Sequence, residues 1–330
     1  MKIILGVTTY GMLEREQKFL LSIWNNLEKS EHEVGFVMVD DGTPNPAKVR
    51  EREAKARRLN CDFIAHGKNL GIPAAWNTVL KYGVAQGADI VGIFNDDIVA
   101  LVPGTIQRVA YFFEKNDRED LKLGGVGLPL IQANEGIKDD DPRWLVNPGL
   151  CGSPVGCSFF CKPQTALRVE NPDGSHGFFE ALKSFHEEVW TFITLAGMGF
   201  YSFMLPWPPM RHWGGQTFHF NQELVWMEPN EFLSMSEFLN YVRQLPFYIP
   251  QYEEMYAKGK VDRMSYSRGI FTKYFVGFDG PRIRDIDEDN LQVDVYAEPQ
   301  KLAHFNCVPK KLDREVFWLD KNNEEKSIIL

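Results

Sequence analysis

The chain has no long hydrophobic run and a deficit of positive charge. No apolar stretch approaches the roughly 18 residues of a transmembrane helix, and the opening MKIILGVTTYG lacks the apolar core of a signal peptide. We therefore expect a cytoplasmic protein without a transmembrane segment. Lys and Arg number 36 against 45 Asp and Glu, a net charge of -9. This charge argues against broad binding to nucleic acid or anionic membranes, although a local basic groove is still allowed.

Cysteine is scarce, and its number is odd. Five cysteines fit a reducing compartment. Cys151, Cys157 and Cys161 cluster, but their spacing is not that of a CxxC pair. We expect buried free thiols there rather than a zinc site.

The first hundred residues alternate short apolar segments with helix-like ones. The strand-like segments are KIILGVTTY, EVGFVMVDDGT, CDFIAHG and DIVGIFNDDIV. The helix-like segments are LEREQKFLLSIWNNLEKS, PAKVREREAKARRLN and GIPAAWNTVLKYGVAQG. This rhythm predicts βαβ units, and so an α/β fold with a mostly parallel sheet flanked by helices.

Three predicted strands end in polar residues, at 8–10, 40–43 and 95–97. Ligands of such sheets bind beyond the carboxyl ends of the strands, so we expect a site at this edge. Each polar end could simply be a turn or a helix cap. Two acidic strand ends on one edge would repel each other unless ligands met them, and a hard cation that also binds phosphates is one such ligand.

The order of these motifs resembles that of the family-2 glycosyltransferases of the GT-A fold. The family's Thr-Tyr strand end, Asp-Gly-Ser/Thr turn, Asn-x-Gly segment and DxD-type metal motif are matched in order by VTTYG, VMVDDGT, NLGIPAAWNTVL and GIFNDDIV. Its Gly-rich strand, its helix beginning with Glu-Asp and its His-x-Gly-Gly segment are matched by GCSFFCK, FHEEVW and HWGGQTF. The resemblance implies a GT-A domain at 1–220. The remainder, 221–330, is predicted to be a mainly helical accessory region for acceptor binding or oligomerisation.

The resemblance also implies a nucleotide site and a metal site. Asp97 and His212 match ligands of Mn²⁺ or Mg²⁺, while Asn95 replaces the usual first Asp with a neutral and weaker partner. Either Asp40 or Asp41 would hydrogen-bond the base or ribose. The full set of implied nucleotide-sugar contacts is Thr8, Tyr10, Asp40, Asp41, Lys68, Asn69, Gly71, Asn95 and Asp96.

Two adjacent carboxylates, Glu187 and Glu188, match the Glu-Asp pair whose second member is the catalytic base. The resemblance implies that Glu188 removes the acceptor's proton, with Glu187 as the alternative. Acidic residues at a helix start also suit the helix dipole without any catalytic role.

The predicted function is metal-assisted, inverting transfer of a sugar from a nucleotide-diphosphate sugar, most readily a UDP-sugar, to an acceptor hydroxyl. The acceptor could be a glycan, a lipid-linked intermediate, a protein or a modified nucleic acid, and the chain could form a homo-oligomer. Two alternatives stay open: a nucleotidyltransferase, for which GVTTYGMLEREQ is a poor phosphate loop, and a non-catalytic nucleotide-sugar-binding module.

Overall fold

A computed structural model of the chain describes residues 1–11, 31–96, 98–100, 104–132, 147–151, 154, 158–171, 173–180, 187–206, 210–212, 312–320 and 322–330. The first elements in chain order are β1 (Lys2–Thr9), β2 (Glu33–Asp40), α1 (Pro46–Arg58), β3 (Asp62–Ala65), α2 (Ile72–Ala85), β4 (Ile90–Asn95), β5 (Ile98–Ala100) and α3 (Thr105–Asn116). They are followed by β6 (Leu123–Gly127), β7 (Leu130–Gln132), β8 (Gly149–Cys151), β9 (Ser158–Cys161), α4 (Pro163–Ala166), α5 (Glu187–Gly197), β10 (Tyr201–Met204), β11 (Met210–His212), β12 (Glu315–Leu319) and β13 (Glu325–Ile329). The predicted helix at 13–30 lies outside the described residues.

The main sheet has the strand order β3-β2-β1-β4-β9-β6-β10-β8 within the described part of the chain. Strands β3, β2, β1 and β4 are parallel to one another, and β9 runs antiparallel between β4 and β6. The predicted α/β fold with a mostly parallel sheet is therefore confirmed. A smaller sheet places β11 between β5, to which it is antiparallel, and β7, to which it is parallel.

The central strands β1, β4, β9 and β6 are buried on both faces, which explains their nearly continuous apolar sequences. In β1, the side chains of Ile3, Leu5 and Val7 join one apolar cluster, while Ile4 joins a second cluster on the other face. Helix α2 belongs to the second layer and approaches β1 so closely that a Cβ on Gly6 would collide with Val79. This close packing holds the start of α2 near the carboxyl ends of the strands.

The three described cysteines are free and buried, namely Cys61, Cys151 and Cys161. Burial raises the pKa of the Cys151 and Cys161 thiols far above its ordinary value. Since the thiolate is the form that binds metal, these environments suit structural thiols. The prediction of buried free thiols is confirmed for Cys151 and Cys161, while Cys157 lies outside the described residues. No described helix has the length and apolar character required to cross a lipid bilayer.

A C-terminal β-hairpin, formed by β12 and β13, is a feature that sequence analysis missed. It packs on α3, and its residues Val316 and Trp318 are buried in the same apolar cluster as β1. Asn116, at the end of α3, pairs with the hairpin backbone: its Nδ2 donates to the Phe317 carbonyl (2.7 Å), and its Oδ1 accepts from the Phe317 N–H (2.8 Å). Residues 312–330 thus pack on the N-terminal fold. Residues 221–311 lie outside the described part, so the division at 220 stays a prediction.

We predict that Asn116→Ala destabilises the protein by about 2–3 kcal/mol, because the change leaves partly buried backbone groups of the hairpin without partners. Urea unfolding followed by circular dichroism measures the loss. The matched control is Asn322→Ala at the exposed hairpin turn, where the described bond uses the backbone N–H of Asn322 and survives the change. Equal effects of the two substitutions would show that Asn116 does not secure the hairpin.

Candidate active site

The carboxyl ends of β1 and β4 meet side by side at one edge of the sheet. Thr8 faces Asn95 in the parallel register. Beyond the strands, Asp96 Oδ2 accepts a hydrogen bond from Thr9 Oγ1 (2.8 Å) and a longer one from the Tyr10 N–H (3.4 Å). The end of β1 therefore holds the Asp96 carboxylate in place, as the shared-edge prediction required.

The Asn95 side chain has a defined orientation. Its Oδ1 accepts from Trp76 Nε1 (3.3 Å) and from Thr8 Oγ1 (3.3 Å). The amide assignment follows from chemistry, because an indole N–H can only donate. The Asn95 oxygen is thus engaged within the protein, and among the described residues its NH₂ group has no partner and can donate to a ligand. This geometry suits a hydrogen-bond donor at the site better than a metal ligand.

Asp40 is engaged inside the protein. Its Oδ2 accepts from the Arg52 guanidinium (2.6 Å) and its Oδ1 from the Thr43 N–H (2.8 Å), and the Asp40 and Arg52 side chains are both 0% exposed. Arg52 also donates to Thr43 Oγ1 at 2.5 Å. The predicted contact between Asp40 and a nucleotide needs correction, because this carboxylate presents no surface to a ligand. Its role is to pair with Arg52 and so secure the β2–α1 turn.

Asp41 fastens the segment that leads into α2. Its oxygens accept from the N–H groups of Leu70 and Gly71, both at 3.0 Å, and from His66 Nδ1 at 2.9 Å. The adjacent Gly42 has φ +76° and lies so close to the Lys68–Asn69 backbone that a Cβ there would collide with it. The structure thus brings Lys68, Asn69 and Gly71 to the end of β2, while their predicted contact with a nucleotide stays a prediction.

The expected repulsion between acidic strand ends does not arise at β2. Protein groups neutralise or solvate both carboxylates: Arg52 for Asp40, and backbone N–H groups with His66 for Asp41. Sequence analysis missed Arg52 and His66. Arg52 lies in a highly charged helix that resembled a solvated surface, and only its burial distinguishes it from its neighbours.

The two predicted metal ligands are described only in part. Asp97 lies outside the described residues, and for His212 only the backbone is described. The register of β11 places His212 opposite Ile98, the residue that follows Asp97. Facing Cα atoms of antiparallel strands are about 4.5–5.5 Å apart, so this backbone register brings His212 next to Ile98. The predicted pairing of His212 with Asp97 stays a prediction. A carboxylate with an imidazole is a donor set that fits a divalent cation such as Mn²⁺.

The N-terminus of α5 points toward the same edge of the sheet. A short turn at 198–200 connects α5 to β10, which is parallel to β6, and α5 packs on both strands. Helix α5 ends at the amino end of β10, and its 11 residues span about 16 Å. Its first turn therefore lies at the opposite, carboxyl edge of the sheet. Glu188 in that turn is half-buried, whereas the side chain of Glu187 is not described.

No family model matches the chain, and no curated protein matches it at a significant level. Solved structures do. The structure of S. aureus TarS superposes with a TM-score of 0.51 at 14% identity, covering 90% of this chain and 60% of TarS. The chain has the GT-A fold.

Other GT-A glycosyltransferase structures match less closely. S. aureus TarS 1–349 in complex with UDP-GlcNAc is 16% identical with a TM-score of 0.45, over 64% of this chain and 58% of that one. The mannosyltransferase PcManGT from Pyrobaculum calidifontis, in complex with GDP-Man and Mn²⁺, is 14% identical with a TM-score of 0.46, over 78% of this chain and 79% of that one. This chain thus spans less than two thirds of TarS and of TarS 1–349 with UDP-GlcNAc.

We predict that Arg52→Leu destabilises this GT-A fold by about 3–5 kcal/mol, because it leaves the Asp40 carboxylate buried without a countercharge. Urea unfolding at pH 7 measures the change. The matched control is Arg50→Leu, on the exposed face of the same helix, which should change stability little. Adding Asp40→Asn to Arg52→Leu should recover part of the loss, since the buried group is then uncharged. If Arg52→Leu and Arg50→Leu have equal effects, the buried pair does not support the β2–α1 turn.

Proposed function

We propose that the protein is a glycosyltransferase that binds a nucleotide-diphosphate sugar at the carboxyl edge of its main sheet. The observation that carries this proposal is the meeting of the polar strand ends there. Asp96 is bonded to the end of β1, and the register of β11 pairs His212 with Ile98. The GT-A fold supports the proposal because this edge is where an α/β sheet binds its ligand. A UDP-sugar is the donor we expect first, with dTDP- and GDP-sugars as alternatives.

The nucleotide half of the donor would lie against β1 and the segment before α2. Tyr10, half-buried at the end of β1, offers an aromatic face to a base. Lys68 is exposed and positively charged, so its ammonium group can donate to a phosphate oxygen of the donor. Asp41 acts on this side indirectly, since it holds the backbone that presents Lys68 and Asn69.

The diphosphate and the sugar would lie nearer β4. There the NH₂ group of Asn95 is oriented to donate to a ligand oxygen, because Trp76 and Thr8 occupy its carbonyl. Asp97 and His212 would hold Mn²⁺ or Mg²⁺. When bound, the cation supplies charge neutralisation for the diphosphate leaving group.

Glu188 is the proposed base, with Glu187 as the alternative. Its carboxylate takes the proton of the acceptor hydroxyl as that oxygen attacks the anomeric carbon. The bond between the anomeric carbon and the diphosphate oxygen breaks on the opposite face, and the nucleotide leaves with both bonding electrons. One displacement of this kind inverts the anomeric configuration. The acceptor would be a glycan, a lipid-linked intermediate, a protein or a modified nucleic acid, and oligomerisation of the chain stays a prediction.

A non-catalytic nucleotide-sugar-binding module is the second candidate. It is favoured by the Asn95 oxygen, which bonds to Trp76 and Thr8 instead of facing a cation. Both candidates require nucleotide binding, and only the enzyme requires a base.

Nucleotide binding is tested by thermal unfolding of the full chain with UDP, GDP, dTDP and CDP, each with Mn²⁺ and with chelator. We expect UDP with Mn²⁺ to raise the melting temperature by about 5 °C at saturating concentration, since ligand binding to the folded state stabilises it by mass action. Asp97→Asn should remove the Mn²⁺-dependent part of the shift, whereas Asp89→Asn, at the amino end of β4, should retain it. If no nucleotide stabilises the protein, the proposed function fails.

The catalytic base is tested by Glu188→Gln, with Glu187→Gln as its matched neighbour. We expect Glu188→Gln to slow nucleotide release from the donor by at least about a hundredfold, because proton removal contributes on this scale. Its affinity for the nucleotide should stay within about twofold of the unsubstituted protein. If Glu187→Gln shows the larger loss, the base is Glu187, and if neither loses turnover, the assignment to this pair is wrong.

A further inference from the structure

The described residues of the loop that precedes α5, namely 171 and 173–180, are hydrogen-bonded to one another and to α5. Asn171 Nδ2 donates to Ser175 Oγ (3.1 Å) and to the Gly177 carbonyl (3.2 Å), while its Oδ1 accepts from Trp190 Nε1 (2.9 Å). Thr191 Oγ1 also donates to the Gly177 carbonyl, at 3.1 Å. The loop is thereby fixed to the first turns of α5, the helix that carries the proposed base.

Asn77 of α2 reaches this loop from the other side. It is 0% exposed, and its amide pairs with the backbone of Phe178: Oδ1 accepts from the Phe178 N–H and Nδ2 donates to the Phe178 carbonyl, both at 2.7 Å. Gly177, at φ +92°, allows the approach, since a Cβ there would collide with Asn77 Oδ1. This pairing dictates the orientation of the Asn77 amide. Its second N–H can then point in only one direction.

That second N–H donates to Glu180 Oε1 at 3.0 Å. Glu180 is half-buried, and within the described part of the chain its Oε2 has no hydrogen-bond partner. A buried amide whose orientation is dictated by backbone pairing thus holds one carboxylate oxygen and leaves the other to accept from a ligand. An ordinary surface glutamate has no such support.

The loop that carries Glu180 is connected to two helices that support the candidate site. Trp76, the neighbour of Asn77 on α2, bonds to Asn95 at the end of β4. On the other side, the ring of Phe179 contacts that of Trp190 in α5, with centroids 5.3 Å apart. The loop that carries Glu180 is therefore linked both to the helix that supports Asn95 and to the helix that carries Glu188.

We propose that Glu180 determines sugar specificity: its Oε2 accepts a hydrogen bond from a hydroxyl of the donor's sugar, and Asn77 positions it to do so. This inference rests on the proposed function. Glu180 is a half-buried carboxylate, and a carboxylate accepts hydrogen bonds from sugar hydroxyls more strongly than a neutral group does. A site built to bond one hydroxyl rejects sugars that lack it or present it on the other side.

The experiment is calorimetric titration of the full chain, with Mn²⁺, using UDP, UDP-glucose, UDP-galactose and UDP-N-acetylglucosamine. It compares the unsubstituted protein with Glu180→Gln. Glutamine can still offer its oxygen to Asn77, but its NH₂ group then replaces the free accepting oxygen. We expect Glu180→Gln to bind the preferred UDP-sugar about tenfold more weakly, the size of one lost charged hydrogen bond, and to bind UDP within about twofold of the original affinity.

The matched control is Glu170→Gln, an exposed carboxylate near the start of the same loop, which should change neither affinity. Glu180→Ala serves as a second variant and should show the same selective loss, with a melting temperature near that of the control. Equal binding of the UDP-sugar by Glu180→Gln and Glu170→Gln overturns the inference, as does an equal loss of UDP and UDP-sugar affinity. If the unsubstituted protein binds none of the four ligands, the proposed function itself fails.

Discussion

The two consecutive carboxylates at the end of β2 are the constraint on which the geometry of the whole edge depends. Each must be satisfied as the chain leaves the sheet, and the structure satisfies them in opposite directions. Asp40 turns inward to Arg52 of α1, and the same Arg52 bonds to Thr43, which in turn accepts from the N–H of Gly11 after β1. Because this pair has no contact with solvent, removing one partner is far more costly than breaking an exposed ion pair.

Asp41 turns the other way, and its effect extends through α2. By holding the Leu70 and Gly71 N–H groups, it determines where that helix begins. From that start, consecutive residues of α2 serve different parts of the edge: Trp76 orients Asn95, and Asn77 orients the loop before α5. The helix therefore links the strand ends to the loop that is bonded to α5, which carries the proposed base.

The sequence was sufficient to predict the α/β fold and the shared edge, because hydrophobic alternation and strand-end polarity are local signals. The adjacency of Thr8 and Asn95 follows from parallel pairing of β1 and β4, and so it could be foreseen. The partners of Asp40 and Asp41 could not be foreseen, because Arg52 and His66 are recognisable only from burial and distance. The same holds for the C-terminal hairpin. Its anchor, Asn116, lies about two hundred positions from Phe317, and no local pattern reports such a contact.

That hairpin has a consequence for the order in which the protein folds. Helix α3 packs beside the N-terminal sheet, and β12 covers part of it, with Val316 and Trp318 in the same apolar cluster. During synthesis, α3 leaves the ribosome long before residues 312–330 are made. The part of α3 that β12 covers in the folded protein is therefore without that cover for most of translation. Contacts this distant in sequence close late and slow the final step of folding. The nascent chain therefore presents an incomplete apolar surface, of the kind that chaperones recognise, until β12 and β13 are in place.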